Sequence, residues 1–309
     1  MPAQGPSPWL AHAKLAFVAF CWASAMIAGR VIATDVPVLT AATIRIAIAA
    51  LVLLVILRSQ GPLPRINGSQ LLALGAMGLA GVFAFNVFFF SALQSIAASK
   101  GALIVALVPV LTALVMAFVL KEVPSPQRWI GIALALFGVS LVVTGGDPSL
   151  LSEYLRTILG TGEGLMLLAA LGWVGYTVIS RVAIKGLSPL AASTYAALVG
   201  FVLLVLALAV TEAVALPNEP QAWNLDWLNL KNVAALVYIA TFGTALPYVW
   251  FVQGVQQLGP ARTAIYINLT PVFGVSLGFI VLGEAIDWSM LIGGLIVIAG
   301  VTLTTRSKS

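Results

Sequence analysis

Residues 46–57 read Ile-Ala-Ile-Ala-Ala-Leu-Val-Leu-Leu-Val-Ile-Leu, an unbroken apolar run without the alternation of a half-buried strand. Extended back to Pro37, the stretch reaches the length of about 20 residues that crosses roughly 30 Å of hydrocarbon as a helix. Similar runs recur along the whole chain of 309 residues, of which 61% are hydrophobic and 8% charged, with a mean hydropathy of +1.08. Charged residues make up about 25% of ordinary soluble domains, so water is not the solvent of this chain. An outer-membrane barrel would alternate polar and apolar residues in segments of about 10, which these runs do not do. Closed helices remain, because lipid offers no partner to an open backbone. The sequence predicts an all-α polytopic membrane protein with the lipid bilayer as its partner.

Cutting the runs at charges, prolines and loop clusters gives ten spans: 12–34, 37–57, 69–90, 99–120, 128–144, 163–184, 188–211, 231–252, 261–282 and 288–305. Ala23-Ser24-Ala25 resembles a signal cleavage site, but the apolar run continues to Ala33, so the first span is read as a mature helix. With the N-terminus in the cytoplasm, ten basic residues fall inside (Lys14, Arg58, Arg65, Lys121, Arg128, Arg181, Lys185, Arg262, Arg306, Lys308). Three (Lys100, Arg156, Lys231) fall outside. That asymmetry predicts both termini in the cytoplasm and an even number of crossings.

The chain also repeats itself. A shift of 162 residues pairs Gly81 with Gly243, Gln94 with Gln256, Lys100 with Arg262, Pro109 with Pro271, Glu122 with Glu284, Gly131 with Gly293 and Gly138 with Gly300. A shift of 151 pairs Trp22 with Trp173 and Arg30 with Arg181. The chain therefore divides into a first repeat (1–144), an extracytoplasmic connection (145–162) and a second repeat (163–309), each repeat with five helices. Five is odd, so the repeats enter the membrane in opposite senses, as inverted-topology repeats around a central cavity. Such symmetry is what alternating access uses, and it points to transport.

Composition excludes other chemistry. Cys21 stands alone, so no intramolecular disulfide forms, and His12 is the one histidine, so no histidine-based metal site is expected. The net charge of +5 is scattered singly at span ends, which suits membrane orientation rather than nucleic acid. No Ser/His, paired-Asp or metal set occurs within the spans, so no catalytic residue, metal or cofactor is assigned. Nothing reads as a large soluble interface, and a monomer is expected.

The candidate substrate-binding residues are polar and aromatic groups inside the spans. Arg45 lies eight residues beyond Pro37, about 12 Å into the membrane at 1.5 Å per residue. A substrate carboxylate is one counter-ion for it; helix-end carbonyls that would make it structural are the other. Phe83, Asn86 and Phe90 share one helical face by spacing, as do Thr241, Thr244 and Tyr248. Tyr266 and Asn268 join them, with Trp22 and Ser24 on the first span and Trp173 and Tyr176 on the sixth, the two tryptophans at equivalent repeat positions. Together they would line a small-molecule site; the alternative is an interfacial aromatic belt and interhelical polar contacts. Pro109 and Pro271 would kink their helices and serve as gates. No carboxylate or histidine sits mid-span, which points to gradient-driven transport rather than proton antiport.

Trp22-Ala23-Ser24 with Arg30, Pro37 with Arg45, Ala102–Pro109 followed by Glu122 and Gly131, and Ile265–Pro271 followed by Glu284 and Gly293 carry a resemblance over essentially the whole chain. In these the sequence resembles the drug/metabolite transporter superfamily, EamA-type ten-helix members, and more loosely their aromatic amino-acid exporter branch. The resemblance implies a bacterial inner-membrane exporter of small metabolites, amino acids including aromatic ones foremost, with other metabolites, nucleosides or drugs, or proton antiport, as alternatives. One departure stands out: counted from Pro189 as Arg45 is from Pro37, the second repeat has Ala197.

Overall fold

The computed structural model describes residues 8–120, 125–147, 149, 161–183, 186–214, 225–258 and 266–306. Glu122, Arg262, Lys121, Glu153, Arg156, Lys185, Glu219, Trp223, Ile265, Lys308 and most of the 145–162 connection lie outside them, as do the side chains of Arg181, Gln256 and Arg306.

Ten helical spans are described. They are α1 (Pro8–Ile32), α2 (Val38–Ser59), α3 (Gly68–Met77, Gly78–Ala84 and Phe85–Leu93 in succession), α4 (Ala98–Val105 and Val108–Leu120), α5 (Pro126–Val143), α6 (Gly162–Ala183), α7 (Pro189–Val214), α8 (Leu230–Ala240, Thr241–Ala245 and Leu246–Leu258), α9 (Leu269–Leu282) and α10 (Trp288–Arg306). Eight are long and apolar enough to cross a membrane; Leu269–Leu282 and Trp288–Thr304 are shorter apolar helices. The helices start where capping chemistry allows. Asn67 and Gln70 form a reciprocal box at α3, Ser125 caps α5 ahead of Pro126, and Asn229 caps α8. Gly283, at φ 65°, closes α9 in the left-handed region.

Packing between helices follows an inverted two-fold. A Cβ on Gly138 would lie 2.7 Å from the Gly293 carbonyl oxygen, and one on Gly131 2.7 Å from that of Gly300. These two contacts exchange under the 162-residue shift, so α5 and α10 pack backbone to backbone across the pseudo-axis. Likewise Gly81 of α3 abuts the Tyr176 side chain of α6, and Gly243 of α8 abuts Ala25 of α1, again repeat-equivalent contacts. The helix pairs obey the same rule: α1–α8 mirrors α6–α3, α1–α9 mirrors α6–α4, and α2–α7 and α5–α10 straddle the axis. Exposed Leu72, Leu206, Phe137 and Ile280 face outward, as lipid-facing side chains do.

The repeats share their irregularities too. Gly78–Ala84 and Thr241–Ala245 are π-helical turns centred on the paired Gly81 and Gly243. α4 breaks at Ala106–Leu107, and α9 begins after a turn at Asn268. Each break lies two to three residues before a proline, Pro109 and Pro271, whose missing N–H deletes the backbone bond across it.

One end of the bundle, opposite Trp9 of α1, is tied by polar contacts. Lys231 meets Asp35 at 2.7 Å and Lys100 meets Glu163 at 3.1 Å. Arg30 donates to the Leu93 carbonyl at the end of α3, and Gln94 to the Ala33 carbonyl at 3.1 Å. Glu284 accepts from the backbone N–H of Ala98 (2.8 Å) and Ser99 (3.0 Å) and from the Ser99 hydroxyl, so a carboxylate occupies the N-terminus of α4. Below it α4 and α9 cross closely: a Cβ on Gly274 would lie 2.5 Å from Ala102 Cβ, and one on Gly278 3.2 Å from Ser99 Cβ.

Candidate functional site

Arg45 projects from α2 into the middle of the bundle, 7% exposed. Its Nε donates to Thr244 Oγ1 at 3.0 Å, and Thr244 donates in turn to the Ile239 carbonyl at 3.1 Å. That carbonyl lies five residues back, in the α-helical segment that precedes the π turn, so the hydroxyl reaches across the start of the irregular turn to its acceptor. The guanidinium lies 5.3 Å from the Phe89 ring centroid and 5.9 Å from that of Phe90. Its Nη1 is buried with no hydrogen-bond partner. A guanidinium cannot shed its proton, so this is a fixed positive charge with donor capacity left over.

An aromatic wall continues from Arg45. Phe89 stacks on Phe85 at 5.5 Å, Phe85 meets Trp173 at 5.5 Å, and Trp173 stacks on Tyr176 at 5.1 Å and 14°. Tyr248 stands edge-on to Trp173 at 5.7 Å, and the Tyr176 hydroxyl shares a 2.7 Å hydrogen bond with Ser193 of α7. Helices α2, α3, α6, α7 and α8 thus bring together one cation, the hydroxyls of Thr244, Tyr176, Ser193 and Tyr248, and a continuous aromatic wall. Such a site suits a small molecule with an anionic head and an aromatic or apolar body.

The structure therefore groups Arg45, Phe90, Trp173, Tyr176, Thr244 and Tyr248 from the residues singled out by sequence. The others lie elsewhere. Trp22 packs against Phe251 at 5.6 Å, and the Ser24 hydroxyl bonds the Tyr238 hydroxyl at 2.7 Å on the α1–α8 side. Tyr266 bonds His12 near the start of α1, and Asn268 bonds Thr302 at 3.2 Å. Asn268 and Pro271 line a narrow cleft with Ala106, Ile267 and Val301, where the broken α4 and α9 part beside α10. Asn86 is buried and donates to the Val82 carbonyl, leaving its Oδ1 without a partner.

The face drawn through Phe83, Asn86 and Phe90 is not continuous, because Phe83 belongs to the π turn and only residues from Phe85 onward keep the 3.6 period. The site's ring residues on α3 are Phe85 and Phe89 with Phe90, and Phe83 packs at the core's edge. Phe85, Phe89 and Ser193 were not singled out; the i, i+4 spacing of Phe85 and Phe89 was the signal available for two of them. Lys100 and Arg30 are tied into the far end rather than the site.

Known proteins share this sequence and architecture. An uncharacterized transporter of Bacillus subtilis (strain 168), YyaM, is 32% identical over 260 residues, covering 82% of this chain and 79% of its own. An uncharacterized transporter of Archaeoglobus fulgidus is 27% identical over 297 residues, covering 96% of this chain and 98% of its own. A chloroplastic WAT1-related protein of Arabidopsis thaliana is 27% identical, over 92% of this chain and 66% of its own. A crystal structure shares the fold at a TM-score of 0.60 and 19% identity, with 96% of each chain covered. The profile of the EamA-like transporter family matches residues 9–144 and again 160–306, one match per half. Duplicated, inverted and built to enclose a polar site in lipid, this chain is a membrane transporter that belongs to the EamA family of the drug/metabolite transporter superfamily.

Proposed function

We propose that this protein exports small carboxylate-bearing metabolites, amino acids and aromatic ones among them, across a bacterial inner membrane by alternating access. It works as a monomer with both termini cytoplasmic, driven by the substrate's own gradient. The observation that carries the reading is the buried Arg45 guanidinium with a free Nη1 at the head of an aromatic wall. Exchange of roles between the inverted repeats supports alternation, and the proline-associated breaks in α4 and α9 supply the places to bend. A mid-span carboxylate that could carry a proton is missing from the described residues, which favours a gradient-driven cycle.

The test is counterflow in proteoliposomes with a panel of radiolabelled amino acids and monocarboxylates and no imposed proton gradient. Saturable counterflow that falls at least about tenfold in Arg45→Ala, the loss expected when a charge-assisted contact is removed, supports the proposal. Counterflow that needs a proton gradient even with substrate on both sides overturns the gradient-driven cycle. Equal transport by wild type and Arg45→Ala overturns the role of the carboxylate.

A further inference from the structure

We propose that the Arg45 site selects organic monoanions, aryl or apolar monocarboxylates without an ammonium group, over zwitterionic amino acids. The inference rests on the carboxylate-anchoring reading above and narrows it by charge.

A zwitterion carries its ammonium within a few ångströms of its carboxylate, so a site that takes the carboxylate on a guanidinium must also neutralise a second cation beside it. A charge buried in a membrane bundle is met by a fixed counter-charge, and for an ammonium that is a carboxylate. Here the described carboxylates stand at helix ends or in loops. Asp35 is held by Lys231, Glu163 by Lys100, and Glu284 by the N-terminus of α4. Tyr248, edge-on to Trp173 in the same wall, is a phenol and supplies no negative charge at neutral pH. The ring faces beside the guanidinium, those of Phe89 and Phe90, are already taken by it as cation–π partners. Trp173 and Tyr176 lie face against face. The unpartnered acceptor on α3, Asn86 Oδ1, is a neutral amide oxygen that suits a hydroxyl as well as an amine and cancels no charge.

The balance of charge is therefore one fixed cation against no fixed anion. A monocarboxylate brings the site to neutrality when it binds. An amino acid leaves it with a net positive charge and places its ammonium against the guanidinium in a surround that screens poorly.

The test uses the full chain in lipid nanodiscs and radiolabelled 3-phenylpropionate as probe, with empty nanodiscs subtracted for partition into lipid. L-Phenylalanine and 3-phenylpropionamide compete at neutral pH. The first adds an ammonium to the same skeleton, and the second removes the charge. 3-Phenylpropionate is expected to bind at least about tenfold more tightly than either competitor, and Arg45→Gln to abolish the preference for acid over amide. L-Phenylalanine binding as tightly as 3-phenylpropionate, with acid still preferred to amide, overturns this inference and leaves the carboxylate reading standing. Acid and amide binding alike in the wild type, or no saturable binding of either, overturns both. The wild-type ranking decides the matter even if the variant fails to fold, and Arg45→Lys, which keeps the charge, is expected to retain part of the preference for the acid.

Discussion

At the residue scale, Arg45 is oriented by the bond that its Nε donates to Thr244 Oγ1, and the threonine in turn donates to the Ile239 carbonyl. Replacing Thr244 by Val leaves the buried Arg45 Nε–H without a partner, at about 1–3 kcal/mol for such a group. Thr244→Val is expected to melt several degrees lower and to bind 3-phenylpropionate about tenfold more weakly, and Thr244→Ser, which keeps the hydroxyl, to restore both; thermal melts and titration read the two effects. Arg45 was legible in the sequence because depth alone makes a charge conspicuous in an apolar span. Its acceptor was named too, but as one of a row, since spacing does not say which hydroxyl meets which cation 199 residues away. Glu284 was visible only as a helix-end acid. That it caps the start of α4 depends on a crossing of two distant helices that no local pattern encodes.

At the element scale, glycine decides which helices touch. Gly138 and Gly293 let α5 and α10 meet backbone to backbone, and a methyl group there would press on a carbonyl oxygen at 2.7 Å. Gly138→Ala is expected to destabilise the protein by about 1–3 kcal/mol, read as a lower melting temperature. Gly75→Ala, in α3 where a Cβ would meet nothing within 4 Å, should be neutral or slightly stabilising. The ten spans and the paired glycines were legible because hydrophobic runs and repeat offsets are properties of the chain itself. The π turns were not. They add one residue to a helical turn without changing composition, so the faces inferred across Phe83 and Thr241 drifted from the real ones. Phe85 and Phe89 reach Trp173 because regular α-helix resumes at Phe85.

At the scale of the molecule, the far end is a seam of charge-assisted contacts with Glu284 at its centre. Glu284→Gln keeps an acceptor but removes the negative charge that the α4 N-terminus favours. In a Cys21→Ala background carrying Ile96→Cys, a position 5% exposed at that end, the Gln variant is expected to react roughly tenfold faster with a membrane-impermeant maleimide, the rate change for about 1.4 kcal/mol. Equal rates would mean that the seam is held elsewhere. The small-residue crossing beneath Glu284 also makes the two halves unequal partners. Gly274 and Gly278 have Thr112 and Met116 as their counterparts in the first half, and Met116 is already packed against Val174 and Val178. A mirror-image crossing at the opposite mouth would have to accommodate a hydroxyl-bearing branch and a thioether where this one has only hydrogen atoms. A pump handle pivoting between two identical stops would idle evenly; with one stop lined by bulk and the other bare, it rests to one side, and the molecule acquires a preferred idle posture from four side chains.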